Sequence, residues 1–193
     1  RVTDWVDGVS PYDIVSGMLP SGAATAVDDA MPALHFVPLA DKLGRTPVLA
    51  TEVLRRLRML KDDSEIAALR RAGQAIDRVH ARMGEFLKVG RTEAAVAADI
   101  GDAIVAEGHT EAAFIIVGSG PHGADPHHEV SDRVIEVGDV VVIDIGGPVD
   151  PGYNSDSTRT YVLGEPSSEI AAQYAVLERA QQAAVDAVAP GVT

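Results

Sequence analysis

Asp144 and Asp156 are the residues of this chain whose type and spacing best suit chemistry. Asp144 follows the apolar run 140–143, and Asp156 follows residues 152–155, which read Gly-Tyr-Asn-Ser. A carboxylate at the end of a buried strand is costly unless it is paired. Two carboxylates brought together across a hairpin repel each other unless a cation lies between them. The pair therefore indicates a divalent metal site, and the alternative is that both aspartates are ordinary turn residues.

The composition is that of an acidic globular chain without cysteine. The hydrophobic content of 46% is enough to fill a core. The net charge of −13 argues against nucleic acid or an anionic membrane as a partner, since both favour clustered Lys and Arg. The absence of cysteine excludes disulfides and thiolate metal sites. No apolar run approaches the ~20 residues of a membrane span, so we expect a cytoplasmic protein.

Apolar periodicity predicts an α+β arrangement with helices on one face of a mainly antiparallel sheet. The first 50 or so residues suggest short strands, turns and one helix. The predicted elements that follow are a helix from Asp62 to Leu87, a helix capped by Thr92 and closed by Gly108, strands at 113–117, 137–145 and 157–163, and a last helix capped by Ser167 or Ser168. The face of the sheet that carries no helices is free to hold a site.

Histidines outside the aspartate pair need a separate interpretation. His109 lies just past a helix end, where a cation offsets the helix dipole, and His122 lies in the polar loop 121–133. Both are more typical of surface or capping residues than of metal ligands. The same loop contains the adjacent His127 and His128.

Several short motifs occur in a fixed order around these residues. They are Ser119-Gly120, Pro126-His127-His128, Ser131-Asp132-Arg133, Gly138-Asp139, Asp144-Ile145-Gly146 and the run 152–160. With them the chain resembles the Xaa-Pro dipeptidase (prolidase) and aminopeptidase P family of metallopeptidases, relatives of methionine aminopeptidase and creatinase. The runs 57–66 and 5–12 are similar to the entry into the catalytic domain and to part of the N-terminal domain of that family, so the resemblance covers almost the whole chain.

The resemblance implies a fold and two domains. The implied fold is the first half of a pita-bread catalytic domain, of the creatinase and aminopeptidase type, preceded by the end of an α/β N-terminal domain. The expected domains are residues 1–55 and residues 56–193. It also implies a homodimer.

The resemblance also implies roles for named residues. Asp144 would bind one metal and Asp156 would bridge two. His127, rather than His128, would lie beside the metals and contact the substrate or stabilise the tetrahedral intermediate. Thr158 is either a hydrogen-bond partner of the site or an ordinary strand threonine, and Arg159 is more typical of an ion-pair partner than of a substrate contact.

The implied activity is hydrolysis of the Xaa-Pro bond of dipeptides or short peptides by a hydroxide nucleophile shared between two divalent metals. Oxygen and imidazole ligands suit Mn²⁺, with Co²⁺ or Zn²⁺ as alternatives. The alternatives to the peptidase are a creatinase-like amidinohydrolase and a non-catalytic peptide-binding pseudo-peptidase. Both usually lack the metal-binding aspartates that this chain retains.

Two features depart from the family pattern. The histidine and two glutamates that complete the family's metal site lie further along than this sequence extends, so we expect a fragment whose full-length parent is the active enzyme. The turn 148–151 also carries one residue more than the commonest family spacing. A one-residue slip within a strand would move side chains to the other face, and we expect the turn to absorb it.

Overall fold

The computed structural model describes residues 3–20 and 22–192. The chain divides into two units, Arg1–Asp62 and Asp63–Thr193. This boundary lies seven residues after the expected one at residue 55, because helix α3 (Thr51–Met59) belongs to the first unit. Among the described helices, none combines the length and the apolar character needed to span a bilayer.

The N-terminal unit is more helical than the sequence suggested. It contains α1 (Pro11–Met18), β1 (Ala26–Val27), α2 (Ala33–Leu43) and β2 (Val48–Leu49) before α3. The strands β1 and β2 pair in parallel. Prolines begin both early helices, with Pro11 at the first position of α1 and Pro32 before α2, where the missing N–H would have no partner in the helix. The expectation of a single helix in this region was wrong.

The helices of the C-terminal unit are α4 (Asp63–Ala81), α5 (Met83–Phe86), α6 (Glu93–Ala106) and α7 (Ser168–Ala187). The predicted helix to Leu87 ends early, because Arg82 leaves the helical conformation at φ −92° and ψ 1°. The short α5 that follows still buries Met83 and Phe86 in the core. Side-chain caps begin α6 and α7: Thr92 accepts from the N–H of Ala95, and Ser167 from that of Ile170.

The sheet of this unit has the order β3–β4–β5 and is antiparallel throughout. Its strands are β3 (Phe114–Ser119), β4 (Val140–Val149) and β5 (Tyr153–Val162). Val141, Ile143 and Ile145 point to one face and are fully buried in the core that α4 and α6 complete. Alternation along a strand places Asp144 on the opposite face, which we call the open face. The predicted α+β layering is confirmed.

The hairpin between β4 and β5 pairs without interruption from Val140↔Val162 to Val149↔Tyr153. Only residues 150–152 form the turn, in which Asp150–Pro151 is a cis peptide and Gly152 has a φ of 105°. The ladder is therefore continuous up to the turn, with no bulge within either strand. Both strands extend closer to the turn than predicted, because residues 146–149 and 153–156 still form ladder pairs.

Candidate metal centre and active site

Asp144 and Asp156 lie on the same face of the hairpin. Asp144 is opposite Thr158, and Asp156 is opposite Gly146, which is two residues further along β4. Residues directly opposite each other share a face, so the two carboxylates are diagonal neighbours, a relation that separates residues by about 7–8 Å. Both aspartates lie within the ladder, four or more residues from the turn 150–152. The alternative of ordinary turn residues is therefore wrong.

The surroundings of this pair suit a cation. Thr158 Oγ1 donates to Asp144 Oδ1 at 2.8 Å, which fixes one carboxylate oxygen. Within residues 3–20 and 22–192, no Lys, Arg or His forms an ion pair with either aspartate. Two adjacent carboxylates without a cationic partner repel each other, and a divalent ion between them removes that repulsion. Oxygen donors held on a rigid hairpin are ligands that hard and borderline divalent ions accept.

Arg159, the next cationic residue of β5, points toward α4. Its guanidinium lies 3.4 Å from Asp77 Oδ1 on α4, the ion-pair role that the sequence favoured.

The loop that carries His127 starts on the open face. After β3 the chain forms a 3₁₀ helix, Gly120–Ala124, which folds back over Gly118. A Cβ on Gly118 would lie 3.0 Å from His122 O and 3.2 Å from Gly123 Cα, which is tighter than most Cβ contacts, so a larger residue would require this return to shift by a few tenths of an ångström. Gly118 pairs with Val142, which is two residues from Asp144 on the same face. The His127 side chain itself is exposed, and its role stays a prediction.

Glu93, which the sequence did not single out, holds this loop in place through hydrogen bonds to its carboxylate. The side chain is fully buried, and donors surround both of its oxygens. Oε1 accepts from Ser119 N at 2.8 Å, Ser119 Oγ at 2.7 Å and His122 Nδ1 at 3.0 Å. Oε2 accepts from His128 Nε2 at 2.8 Å, Ser131 Oγ at 2.7 Å and Ser131 N at 3.3 Å. We call Glu93 with these four partners the Glu93 cluster.

The Glu93 cluster also has the composition of a metal site. Ligand atoms of Glu93, His122 and His128 all lie within 4.8 Å of one another. A carboxylate offers about four lone-pair directions, and six donors already fill them. Burial raises the pKa of Glu93, but hydrogen bonds from Ser119, His128 and Ser131 outweigh it and lower the pKa to about 2. We therefore interpret the cluster as an anion held by hydrogen bonds.

The histidines of the loop take different positions from each other. His128 is a structural residue, as the sequence favoured, because its side chain is bound to Glu93. His122 lies in the 3₁₀ helix, is partly exposed, and reaches the same carboxylate, a contact that the sequence did not indicate. Little in the sequence indicates this cluster, because a glutamate in the first turn of a helix is ordinarily explained by the helix dipole.

Two further histidines are buried behind the hairpin. His109 donates from Nδ1 to Ile104 O at 3.2 Å, so its Nε2 accepts from Ser155 Oγ at 2.8 Å. Burial lowers the pKa of His109, so the expected cation at the helix end was wrong. His80 donates from Nε2 to Ser157 O at 3.1 Å and ties α4 to the strand residue between Asp156 and Thr158.

This geometry can be compared with known proteins. The sequence profile of metallopeptidase family M24 matches residues 67–193, and the chain belongs to this family. Its fold is the first half of a pita-bread catalytic domain preceded by the end of an α/β N-terminal domain.

The relatives of this chain include a dipeptidase, a prolidase and an Xaa-Pro dipeptidase. The crystal structure of dipeptidase PepE from Mycobacterium ulcerans is 66% identical, with a TM-score of 0.91 over 99% of this chain and 52% of that one. A prolidase structure from Thermococcus sibiricus is 37% identical, with a TM-score of 0.87 over 100% of this chain and 54% of that one. The Xaa-Pro dipeptidase of Pyrococcus horikoshii is 36% identical over 143 residues, which are 74% of this chain and 40% of that protein. The chain spans about half the length (52%) of the curated relatives that match all of it.

Proposed function

We propose that the protein is a metal-dependent exopeptidase that hydrolyses the Xaa-Pro bond of dipeptides or short peptides. The observation that carries this proposal is the pair Asp144 and Asp156, diagonal neighbours on the open face of the hairpin in a chain of family M24. The prolidase and Xaa-Pro dipeptidase among the relatives support the choice of bond. The bond needs a dedicated site, because a proline nitrogen offers no N–H to backbone acceptors.

Each residue of the site has a proposed role. Asp144 and Asp156 would hold two divalent ions, with Asp156 shared between them, and Thr158 would fix the orientation of the Asp144 carboxylate. Bound ions of this kind polarise a scissile carbonyl and make water a stronger nucleophile. His127 would donate a hydrogen bond to the carbonyl oxygen as negative charge develops there, which is the kind of stabilisation that preorganised donors supply.

The remaining parts of the proposal concern the metal and the partners. Mn²⁺ suits the oxygen-rich ligand set, with Co²⁺ or Zn²⁺ as alternatives. The partner is a short proline-containing peptide. The homodimer and the cytoplasmic location stay predictions from the sequence.

The test uses the full-length gene product that contains this chain. After treatment with chelator and resupply of Mn²⁺, it is assayed on an Xaa-Pro dipeptide and an Xaa-Pro-Yaa tripeptide. Cleavage of the dipeptide alone makes the protein a prolidase, and cleavage of the tripeptide makes it an aminopeptidase P. Failure of Mn²⁺ to restore cleavage of either peptide would refute the proposal and favour a creatinase-like amidinohydrolase or a peptide-binding role.

A further inference from the structure

We infer that Glu93 is a positioning residue for His127, acting through the hydrogen bonds that fix the loop 119–131. This inference deepens the proposed function and rests on it, because it assigns a residue outside the open face to the same reaction. Glu93 would touch neither substrate nor metal. Its effect would reach the site through the loop that carries His127.

The first observation is that the anchors of the loop converge on one side chain. Ser119 ends β3, His122 lies in the 3₁₀ helix, and His128 and Ser131 lie beyond His127. All four donate to the Glu93 carboxylate. The cluster therefore holds the loop on both sides of His127.

The second observation is that Glu93 cannot easily move. It begins α6, and the N–H groups of Glu93 and Ala94 donate to Arg133 O at 3.1 Å and Ser131 O at 3.0 Å. The Arg133 guanidinium in turn donates to Ser119 Oγ at 2.6 Å and to Asp139 Oδ2 at 2.6 Å. The end of the loop is thus attached to the same helix start that carries the carboxylate. Such over-determined supports are what keep a reacting group within a fraction of an ångström.

The third observation concerns His127 itself. Its N–H donates to Asp125 Oδ1 at 3.0 Å, and the next residue, His128, is bound to Glu93 at 2.8 Å. The backbone of His127 is therefore fixed while its side chain stays exposed. A side chain that is free at a fixed backbone position suits a group that must contact a substrate.

The test compares Glu93→Gln with Glu129→Gln in the full-length gene product. Glu129 is an exposed glutamate of the same loop and has no partner among the described residues, so it is the matched control. Gln keeps the shape of Glu but turns an NH₂ group toward hydrogen-bond donors. Loss of a hydrogen bond to a charged group costs about 1.5–3 kcal/mol, which is about 10–100-fold in local opening.

We expect amide hydrogen exchange in the loop 119–131 to accelerate about 10–100-fold in Glu93→Gln and to stay unchanged in Glu129→Gln. We expect kcat to fall by no more than the same factor of about 10–100, and no further than in His127→Ala, with Mn²⁺ affinity unchanged. The double variant Glu93→Gln, His127→Ala should match His127→Ala, because the two residues act as one unit. If Glu93 had a purely structural role, Glu93→Gln would lower kcat by the same factor in the wild type and in His127→Ala.

Independent, additive losses in kcat would overturn the inference, as would unchanged exchange in the loop. If Glu93→Gln does not fold, Ser131→Ala decides the question, since it removes the 2.7 Å hydroxyl donor to Glu93, together with the acceptor of the Arg133 N–H at 3.1 Å, and leaves the carboxylate in place. It should give the same pattern with smaller losses, and an unchanged loop would overturn the inference. If the wild-type protein cleaves no Xaa-Pro bond, the proposed function fails, and the exchange rates alone decide whether Glu93 fixes the loop.

Discussion

Replacing Glu93 by Gln should destabilise the protein in a way that depends on pH. The pKa of Glu93 is lowered from 4.5 to about 2, the net result of burial, which raises it, and of hydrogen bonds, which lower it more. Each unit of pKa difference between the folded and unfolded states is worth about 1.4 kcal/mol, so the ionised carboxylate stabilises the fold by about 3 kcal/mol. Because the folded pKa is depressed, this contribution is fully present above pH 4.5 and is lost as the pH falls toward 2.

The assay is urea unfolding of wild type, Glu93→Gln and the control Glu129→Gln between pH 7 and pH 3.5. We expect the free energy of unfolding of the wild type to exceed that of Glu93→Gln by about 3 kcal/mol at pH 7. This difference should shrink by about 1.4 kcal/mol for each pH unit below the pKa of Glu93 in the unfolded state. Glu129→Gln should follow the wild type. A difference that is the same at pH 7 and pH 3.5 would refute the assignment of Glu93 as a buried anion.

Three further predictions concern the loop and the hairpin. Thr158→Val should weaken Mn²⁺ binding about 10–100-fold, because Thr158 fixes the Asp144 carboxylate. The control Thr160→Val, on the same strand and face, should leave Mn²⁺ binding unchanged. Equal Mn²⁺ affinities of the two variants, measured by calorimetry, would contradict this prediction. His127→Ala should lower kcat about 10²–10⁴-fold and leave the free energy of unfolding unchanged. His128→Ala should instead lower the free energy of unfolding by about 1–3 kcal/mol, because it removes a hydrogen-bond donor from Glu93. Loss of stability in His127→Ala and loss of kcat in His128→Ala would show that the two histidines have the opposite roles. Gly118→Ala should lower the free energy of unfolding by about 1–3 kcal/mol, because its Cβ would meet His122 O at 3.0 Å. The control Gly73→Ala, at an open helix position, should be neutral or stabilising. Equal thermal unfolding midpoints of the two variants would contradict the tight return over Gly118.

Much of the catalytic unit could be predicted from the sequence because its patterns are local. The period of apolar residues located α4, α6 and α7, and Thr92 marked the start of α6. The apolar run 140–143 located the strand that carries Asp144, whereas the face on which Asp144 lies follows from the strand register. Strand ends were less certain, because Gly146, Gly147 and Pro148 look like turn residues and yet continue the ladder.

The Glu93 cluster could not be predicted, because its members are brought together by tertiary contacts. Glu93 lies 26 residues before Ser119 and 38 before Ser131. No local pattern separates a buried glutamate from the exposed ones that commonly begin helices. The burial of His109 was missed for the same reason, since its partner Ser155 lies 46 residues away on the hairpin.

Metal binding by Asp144 and Asp156 is the basis of the proposed peptidase activity. The direct measurement is calorimetric titration of Mn²⁺ into the chelator-treated full-length gene product and into the double variant Asp144→Asn, Asp156→Asn. Asp132→Asn, which changes an exposed aspartate of the nearby loop, is the matched control. We expect the double variant to lose Mn²⁺ binding and the control to bind Mn²⁺ like the wild type. Unchanged affinity and stoichiometry in the double variant would contradict it.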